Sequence, residues 1–251
     1  MPIDRLHNAR RVVVKLGSNV ITSENNLNIE VIDAIAAQVN TLIERGIEVI
    51  LISSGAMSAG VRKMGFSSRP TEIPQRQAIA SIGQGGLINA WEHSFSRFDK
   101  KVAQILLTGD DLNNRIRYLN ARNCMNTLMA WDVVPIVNEN DTIMIEEIKV
   151  GDNDNLAAMI TLLLDADFLF LLTDIDGLYD KDPRQFSNAR LIDKISRYER
   201  RIEEYASHIA GPLGTGGMLS KIKAAKKVTS AGIPMVISRG DRKDVLLDLF
   251  E

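Results

Sequence analysis

Two lysines, one near each end of the chain, lie beside glycines in patterns suited to binding an anion. Lys15 ends the apolar run 12–14 and precedes Gly17, so a buried strand would expose free backbone N–H groups and one ammonium here. Lys221 follows the glycine-rich loop 214–217, which leads into a helix N-terminus, where backbone N–H groups attract phosphate. Together the two segments predict one phosphate site that is closed from two directions.

Each lysine also has an ordinary structural explanation. Lys15 could be a lysine at a strand edge, and Lys221 could be a solvated residue on a basic helix, since further lysines follow at 223, 226 and 227. However, a lysine behind three valines is expected to be partly buried, and a buried ammonium is costly unless it meets an anion. A cation in the first turn of a helix also opposes the helix dipole unless an anion lies there. Both arguments favour a bound phosphoryl group.

Neither segment matches the P-loop found in many nucleotide-binding proteins. The nearest glycine spacing, Gly60 to Gly65, is followed by Phe66 where that loop requires a lysine. If a phosphate binds, another fold must hold it.

The order of apolar segments predicts the elements that carry these residues. Short apolar runs alternate with longer amphipathic ones, as in βαβ units. Strands are predicted over 11–16, 47–52, 102–107, 133–137, 168–172 and 233–237, and helices over 28–45, 56–64, 75–95, 115–131, 154–164 and 218–231. Since some strands are apolar throughout, both faces of the sheet must be covered. The expected fold class is α/β, a three-layer α/β/α sandwich with a mainly parallel central sheet. The polar segment 174–195 is expected at the surface.

Ligands of such sheets bind beyond the carboxyl ends of the strands. Polar residues follow five apolar segments: Gly17 and Ser18; Ser54 and Gly55; Asn138 and Asp141; Asn153 and Asp154; Thr173 and Asp174. Plain turns or helix N-caps could explain Ser54, Asp141 and the segment 152–154 as well. As an anion, Asp141 could instead receive a substrate ammonium.

Composition excludes several classes of function. The 251 residues include 30 Lys and Arg against 32 Asp and Glu, so a net charge of -2 gives no reason to expect nucleic acid or an anionic membrane as a partner. Asp165 and Asp167 interrupt the most apolar stretch, and the first residues lack a signal-peptide pattern. Cys124 is the single cysteine; it excludes an intrachain disulfide and is expected in the core. We expect a soluble cytoplasmic protein.

The histidines constrain the chemistry. His7, His93 and His208 are the three histidines, and none lies at a predicted strand end, which argues against a histidine-dependent triad. Phosphoryl transfer needs no base when the acceptor is already ionised, and a free carboxylate with a pKa of about 4 meets that condition. Two lysines, backbone N–H groups and a nucleotide-bound Mg²⁺ could neutralise the charge that develops.

The combination and order of the motifs resemble the amino acid kinase family. The segments that carry the resemblance are 13–18, 53–60, 77–84, 118–123, 135–141, 174–179 and 214–218, together with 151–154, and they span residues 12 to 221. Single motifs are shared across the superfamily, whereas their combination is specific. The resemblance implies one amino acid kinase domain over residues 1–251, with an acceptor-binding lobe over about 1–165 and a nucleotide-binding lobe over about 166–251.

The resemblance further implies a reaction and its substrates. The reaction would be ATP-dependent phosphorylation of the γ-carboxylate of L-glutamate to L-glutamyl 5-phosphate, the first step of proline biosynthesis, with Mg²⁺ bound to ATP. Proline would act as feedback inhibitor, and the protein would form a homo-oligomer. Many bacterial members carry a further C-terminal PUA domain, and this chain, which stops at Glu251, would be a form without it.

Site residues are implied position by position. Lys15 and Lys221 would stabilise the transferred phosphoryl group, and Asp154 would hold the two lysines. Glutamate would be bound by Ser54, Gly55, Asn138, Asp141 and Asn153. ATP would be bound by Lys15, Gly17, Ser18, Thr173, Asp174, Thr215, Gly216, Gly217, Met218, Leu219, Ser220 and Lys221. No protein metal site is implied.

Two alternatives stay open. A related kinase of the same fold could act on UMP, N-acetylglutamate, carbamate or aspartate, although Asp141 suits a free ammonium better than a phosphate or an acetylated amine. A non-catalytic sensor of an amino acid or a nucleotide is a second alternative, which the two intact lysines disfavour.

Overall fold

A sheet of six parallel strands forms the centre of the protein, in a computed structural model that describes residues 6, 8–23, 26–144, 153–196, 199–208 and 217–250. The strands are β1 (Arg11–Leu16), β2 (Thr22–Ser23), β3 (Asn26–Leu27), β4 (Glu48–Ser53), β5 (Lys101–Leu107), β6 (Val133–Glu139), β7 (Phe168–Thr173) and β8 (Met235–Arg239). The sheet order is β5-β6-β4-β1-β7-β8, and β2 pairs antiparallel with β3 in a separate hairpin.

Helices cover both faces of this sheet. They are α1 (Ser18–Ile21), α2 (Ile29–Glu44), α3 (Ala56–Lys63), α4 (Ile73–Ser96), α5 (Gly109–Asn113), α6 (Arg115–Ala130), α7 (Asn153–Leu163), α8 (Arg200–His208), α9 (Met218–Ser230) and α10 (Val245–Asp248). The predicted α/β/α sandwich with a mainly parallel sheet is therefore confirmed. No helix in the described part of the chain is long and apolar enough to cross a membrane.

The alternation of side chains along β1 distributes its residues between two cores. Val12, Val14 and Leu16 belong to the apolar cluster that α2, α4 and α10 cover, whereas Val13 belongs to the cluster that α7 and α9 cover. Because successive side chains of a strand point to opposite faces, Lys15 lies on the same face as Val13. The lysine thus emerges under α7 and α9, at the carboxyl edge of the sheet.

One prediction about packing was wrong, and a second was incomplete. Cys124 is exposed, because α6 buries only Met125 completely and keeps most of its surface outside the core. The segment 174–195 is not wholly at the surface, since Leu178 and Asp182 within it are buried. Leu178 packs in a third apolar cluster with α8 and α9, and Asp182 is buried against the guanidinium of Arg184.

Helices α3 and α4 touch through their backbones at two glycines. A Cβ added to Gly83 would lie 1.8 Å from the carbonyl oxygen of Ala56, and one added to Gly60 would lie 1.9 Å from that of Ile79. No side chain fits between the helices at these points. The first turn of α3 and the middle of α4 are therefore held at a fixed separation.

We expect the substitution Gly83→Ala to destabilise the protein by about 2–3 kcal/mol, because the new methyl group must push two backbones apart. Chemical denaturation followed by circular dichroism measures the change. Gly85→Ala is the matched control: it lies in the same helix with nothing within 4 Å of an added Cβ, so it should be neutral or stabilise by up to about 1 kcal/mol. Equal effects of the two substitutions would contradict the packing argument.

Candidate active site

The first element of the site is the end of β1, which lies between two other parallel strands. Lys15 is in register with Ile52 of β4 and Leu171 of β7, and it is 6% exposed. Directly after the strand, the N–H of Gly17 donates to the carbonyl of Leu172 at 2.9 Å. The apolar run before Lys15 predicted a buried ammonium, and the lysine is indeed buried.

Asp154 joins the two predicted lysines. Its Oδ1 lies 2.7 Å from Nζ of Lys15, and its Oδ2 lies 3.1 Å from Nζ of Lys221. The hydroxyl of Ser220 donates to the same Oδ2 at 2.6 Å and contacts the carbonyl of Gly217 at 2.8 Å. All three charged side chains are buried. The start of α7 therefore holds the end of β1 and the start of α9 together through one carboxylate.

The charges of this bridge do not balance, because two cations share one anion. Burial raises the pKa of Asp154, but Lys15, Lys221 and the hydrogen bond from Ser220 outweigh it, so that the net pKa lies well below the ordinary value. Burial and the nearby charge of Lys15 lower the pKa of Lys221, against the opposing attraction of Asp154 and Asp174. Two buried ammonium groups that share one carboxylate form a locally positive region, which is suited to binding a further anion.

A second group of polar residues surrounds the side-chain amide of Asn153. Its Nδ2 donates to Oγ of Ser54 at 2.8 Å and to Oδ1 of Asn138 at 2.9 Å. This amide joins the ends of β4 and β6 to the start of α7. Oδ1 of Asn153 is buried and has no hydrogen-bond partner in the described part of the chain, so it is available to a donor from a ligand.

Ser54 is not the N-cap of the helix that follows it. Gly55 occupies that position with φ of +107°, a conformation that favours glycine, and α3 has no side-chain cap. The structural alternative for Ser54 is therefore wrong. Its hydroxyl instead belongs to the hydrogen-bonded group around Asn153.

Asp141 lies in the turn that follows β6, beyond Asn138. Its carboxyl is half-buried, and this burial raises its pKa to about 6, against the attraction of Arg76 on α4. Among the described residues it forms no hydrogen bond with Ser54, Asn138 or Asn153. It therefore carries a separate charge on the same side of the site, and sequence reasoning did not find Arg76 as its partner.

The remaining predicted residues lie around the ends of β1 and β7. Oγ1 of Thr173 donates to Oδ1 of Asp174 at 3.1 Å, and Nδ2 of Asn19 donates to Oδ2 of Asp174 at 2.9 Å. Burial raises the pKa of Asp174, but these hydrogen bonds outweigh it and the net pKa is lowered. Ser18 begins α1 beside Gly17. Asn19 was missed by sequence reasoning, because nothing in its local pattern marks it.

The glycine-rich loop is described only at its end. Gly217 is the N-cap of α9, Met218 is buried, and Leu219 is 37% exposed. Thr215 and Gly216 lie outside the described residues, as do residues 151–152. Within the described part of the chain, no group of three or more His, Cys, Asp or Glu residues could hold a metal ion.

Comparisons with known proteins identify the family of the chain. The amino acid kinase family matches residues 10–238, and the chain belongs to that family. The chain is 47% identical over 246 residues to a glutamate 5-kinase of Syntrophus aciditrophicus, an alignment that covers 98% of this chain and 64% of that protein. It is 48% identical over 246 residues to a glutamate 5-kinase of Geobacter metallireducens, covering 98% of this chain and 66% of that protein. The chain thus spans slightly less than two thirds of the length of these curated relatives.

A solved structure has the same fold at low sequence identity. The carbamate kinase from Giardia lamblia bound to AMP-PNP superimposes with a TM-score of 0.65 at 16% identity, covering 97% of each chain. The likeness shows that the fold is that of the family.

We expect Asp154→Asn to lower the free energy of unfolding by about 3 kcal/mol, because it leaves two buried cations without their anion. Lys15→Met should cost less than about 1 kcal/mol or stabilise the protein, because it leaves Asp154 and Lys221 balanced. Chemical denaturation at pH 7 in a buffer without phosphate or sulfate compares the two. A similar loss for both variants would contradict the charge imbalance.

The pH dependence of stability provides a second test of the role of Asp154. Since the folded pKa of Asp154 is lowered, its contribution to stability is present above the unfolded pKa of about 4 and is lost as the pH falls toward the folded value. The difference between wild type and Asp154→Asn should therefore shrink below about pH 4. A difference that is constant with pH would contradict the role of the carboxylate charge.

Proposed function

We propose that the chain transfers the γ-phosphoryl group of ATP to the γ-carboxylate of L-glutamate, yielding ADP and L-glutamyl 5-phosphate, the first step of proline biosynthesis. The observation that carries the proposal is the buried bridge from Lys15 through Asp154 to Lys221, which brings two ammonium groups to one region at the edge of the sheet. The similarity to glutamate 5-kinases over 98% of the chain supports L-glutamate as the acceptor.

The reaction needs no catalytic base. The γ-carboxylate is ionised at neutral pH, since its pKa is about 4.3, and one of its oxygens attacks the γ-phosphorus directly. The bond from phosphorus to the bridging oxygen breaks, and its electron pair stays on ADP. Two anions must approach each other in this step. Lys15 and Lys221 offset their repulsion and stabilise the charge on the phosphoryl oxygens.

Asp154 would act on the reaction through the lysines. It holds one ammonium with each carboxylate oxygen, at 2.7 and 3.1 Å, so that both point to one region at the edge of the sheet. Ser220 fixes the orientation of this carboxylate with a hydrogen bond of 2.6 Å. Preorganised charges of this kind need not reorient as the reaction proceeds.

Mg²⁺ would be held by the nucleotide. Both oxygens of Asp154 are occupied by lysines, and both oxygens of Asp174 accept hydrogen bonds from neighbouring side chains. Such residues fit a metal that brings its own phosphate and water ligands, as Mg²⁺ does when it binds with ATP. There it would supply further positive charge at the phosphate oxygens. Gly17, Ser18, Thr173, Asp174 and the segment 215–221 would bind ATP itself.

The acceptor would lie on the side of Asn153 and Asp141. The free Oδ1 of Asn153 accepts hydrogen bonds, and the carboxylate of Asp141 is negative, so both favour a ligand ammonium. A phosphate at this position, as in UMP, would be repelled. Ser54, Gly55 and Asn138 would complete this part of the site. These features favour a free amino acid over UMP, N-acetylglutamate and carbamate.

Several further properties stay predictions. They are the division into an acceptor-binding lobe and a nucleotide-binding lobe, assembly into a homo-oligomer and a cytoplasmic location. Feedback inhibition by proline also stays a prediction. A titration of proline against activity that shows no inhibition would contradict it.

Purified protein with Mg-ATP, L-glutamate and hydroxylamine should produce γ-glutamyl hydroxamate, because hydroxylamine traps the acyl phosphate. Lys15→Ala should lower the rate by about 100-fold or more. Lys63→Ala, which removes an exposed lysine of α3, is the control and should retain the wild-type rate. ADP release with UMP, N-acetylglutamate, carbamate and aspartate is measured in parallel. Activity only with one of these would refute L-glutamate as the acceptor, and a fully active Lys15→Ala would refute the role of the lysine.

The affinity for glutamate should depend on pH through Asp141. Its pKa is raised to about 6, so the carboxyl is neutral below that pH and attracts the substrate ammonium only above it. We expect kcat/KM for glutamate to rise as the pH passes through about 6 and then to level off. Asp141→Asn should raise KM and abolish this step. A step of unchanged position and size in the variant would assign it to another group.

A further inference from the structure

The turn that carries Asp141 is attached to the first part of α4. Nε2 of Gln77 donates to the carbonyl of Met144 at 3.3 Å, and the hydroxyls of Ser81 and Thr142 share a hydrogen bond of 2.8 Å. Two side chains of one helix therefore hold the turn at the residues that follow Asp141. The position of Asp141 relative to this helix is set by contacts that do not involve Asp141 itself.

The same helix is fixed to the Ser54–Gly55 end of the site. Through Gly60 and Gly83 it touches α3 backbone to backbone, and α3 begins directly after Gly55. The two parts of the proposed acceptor site, one at the end of β4 and the other after β6, thus share α4 as their support. A charged residue on the first turn of α4 therefore has a fixed position relative to both parts.

Arg76 is that residue. It is half-buried and directly precedes Gln77, whose side chain contacts the turn that carries Asp141. Its attraction also opposes the effect of burial on the pKa of Asp141. Within the described part of the chain they form neither a hydrogen bond nor an ion pair with each other, and no other carboxylate pairs with Arg76. An anion and a cation therefore flank the acceptor side without neutralising each other directly.

This arrangement is complementary to one end of an α-amino acid. The α-carbon of such a molecule carries an ammonium and a carboxylate, which are opposite in charge and a few ångströms apart. A carboxylate and a guanidinium that are close but not paired can each take the group of opposite charge. The γ-carboxylate is then free to reach the two buried lysines.

We propose that Arg76 determines acceptor specificity by binding the α-carboxylate of the amino acid while Asp141 binds its α-ammonium. The inference rests on the proposed function, because it takes an amino acid as the acceptor. The inference adds to the proposed function a guanidinium that distinguishes an amino acid with a free α-carboxylate from one in which that group is masked.

The test compares L-glutamate with L-isoglutamine, the α-amide that keeps the ammonium and the γ-carboxylate but has no charged α-carboxylate. With saturating Mg-ATP, the wild type should prefer glutamate by about tenfold or more in kcat/KM. Arg76→Gln should lower kcat/KM for glutamate by about tenfold or more through KM, while kcat/KM for isoglutamine stays within about twofold. The preference should then nearly disappear, and Arg76→Lys should restore part of it.

Two controls separate recognition from support of the turn. Arg62→Gln removes an exposed arginine of α3 and should leave both acceptors unaffected. Thermal unfolding of each variant shows whether the fold is intact. If Arg76→Gln lowers activity with glutamate and isoglutamine equally, Arg76 acts only as a structural support and the proposal is wrong.

The outcomes also separate this inference from the proposed function. A wild type that forms no acyl phosphate from glutamate overturns the proposed function and the role of Arg76 with it. A wild type that is active with glutamate, together with an Arg76→Gln variant of unchanged preference, overturns only the role of Arg76.

Discussion

The interaction on which the site depends is the attachment of two buried ammonium groups to one carboxylate. Lys15, Asp154 and Lys221 come from β1, α7 and α9, which are far apart in the sequence but meet at one edge of the sheet. Burial and the charge of Lys15 both lower the pKa of Lys221, and the carboxylate between the lysines, with Asp174 further away, makes their burial tolerable. The two ammonium groups are thereby kept together at a place where a phosphoryl group can approach both.

The two sides of the site differ in their electrostatic character. Two ammonium groups lie on one side, whereas the acceptor side contains amide groups and the carboxylate of Asp141. A reaction in which one anion attacks another is suited to this division, because the reacting ends need cations and the opposite end of the acceptor carries an ammonium. The amide of Asn153 lies between the two sides and is fixed by both of its hydrogen bonds, at 2.8 and 2.9 Å.

The sequence predicted the elements that have many residues and a clear period. All six strands of the sheet and six of the helices were found, because continuous apolar strands and amphipathic helices repeat the same signal many times. The hairpin of β2 and β3 and the short helices α1, α5 and α10 were missed, since two to five residues carry no period. The nine-residue helix α8 was missed as well. Cys124 was placed in the core because cysteine is usually buried, and no local signal showed that α6 keeps most of its surface exposed.

The same limit applies to the site. Lys15, Asp154 and Lys221 could be recognised because each lies in a distinctive local motif. Asn19 and Arg76 could not be recognised from the sequence, because their significance comes only from contacts with residues distant in sequence. Asn19 and Asp174, for example, are 155 positions apart. Ser54 was ambiguous for a related reason. A serine after a strand is usually a helix cap, and only the position of Asn153 shows that its hydroxyl has another partner.

The contact between α3 and α4 has a consequence for how the chain can change over time. Its separation is set by backbone atoms at Gly60 and Gly83, and the choice of neighbouring side chains has little influence on it. Substitutions elsewhere in the apolar clusters can therefore accumulate and shift side-chain packing while the two parts of the acceptor side keep their spacing. The spacing of the acceptor side thus does not depend on which side chains fill the core. It changes as soon as either glycine is replaced by a residue with a side chain.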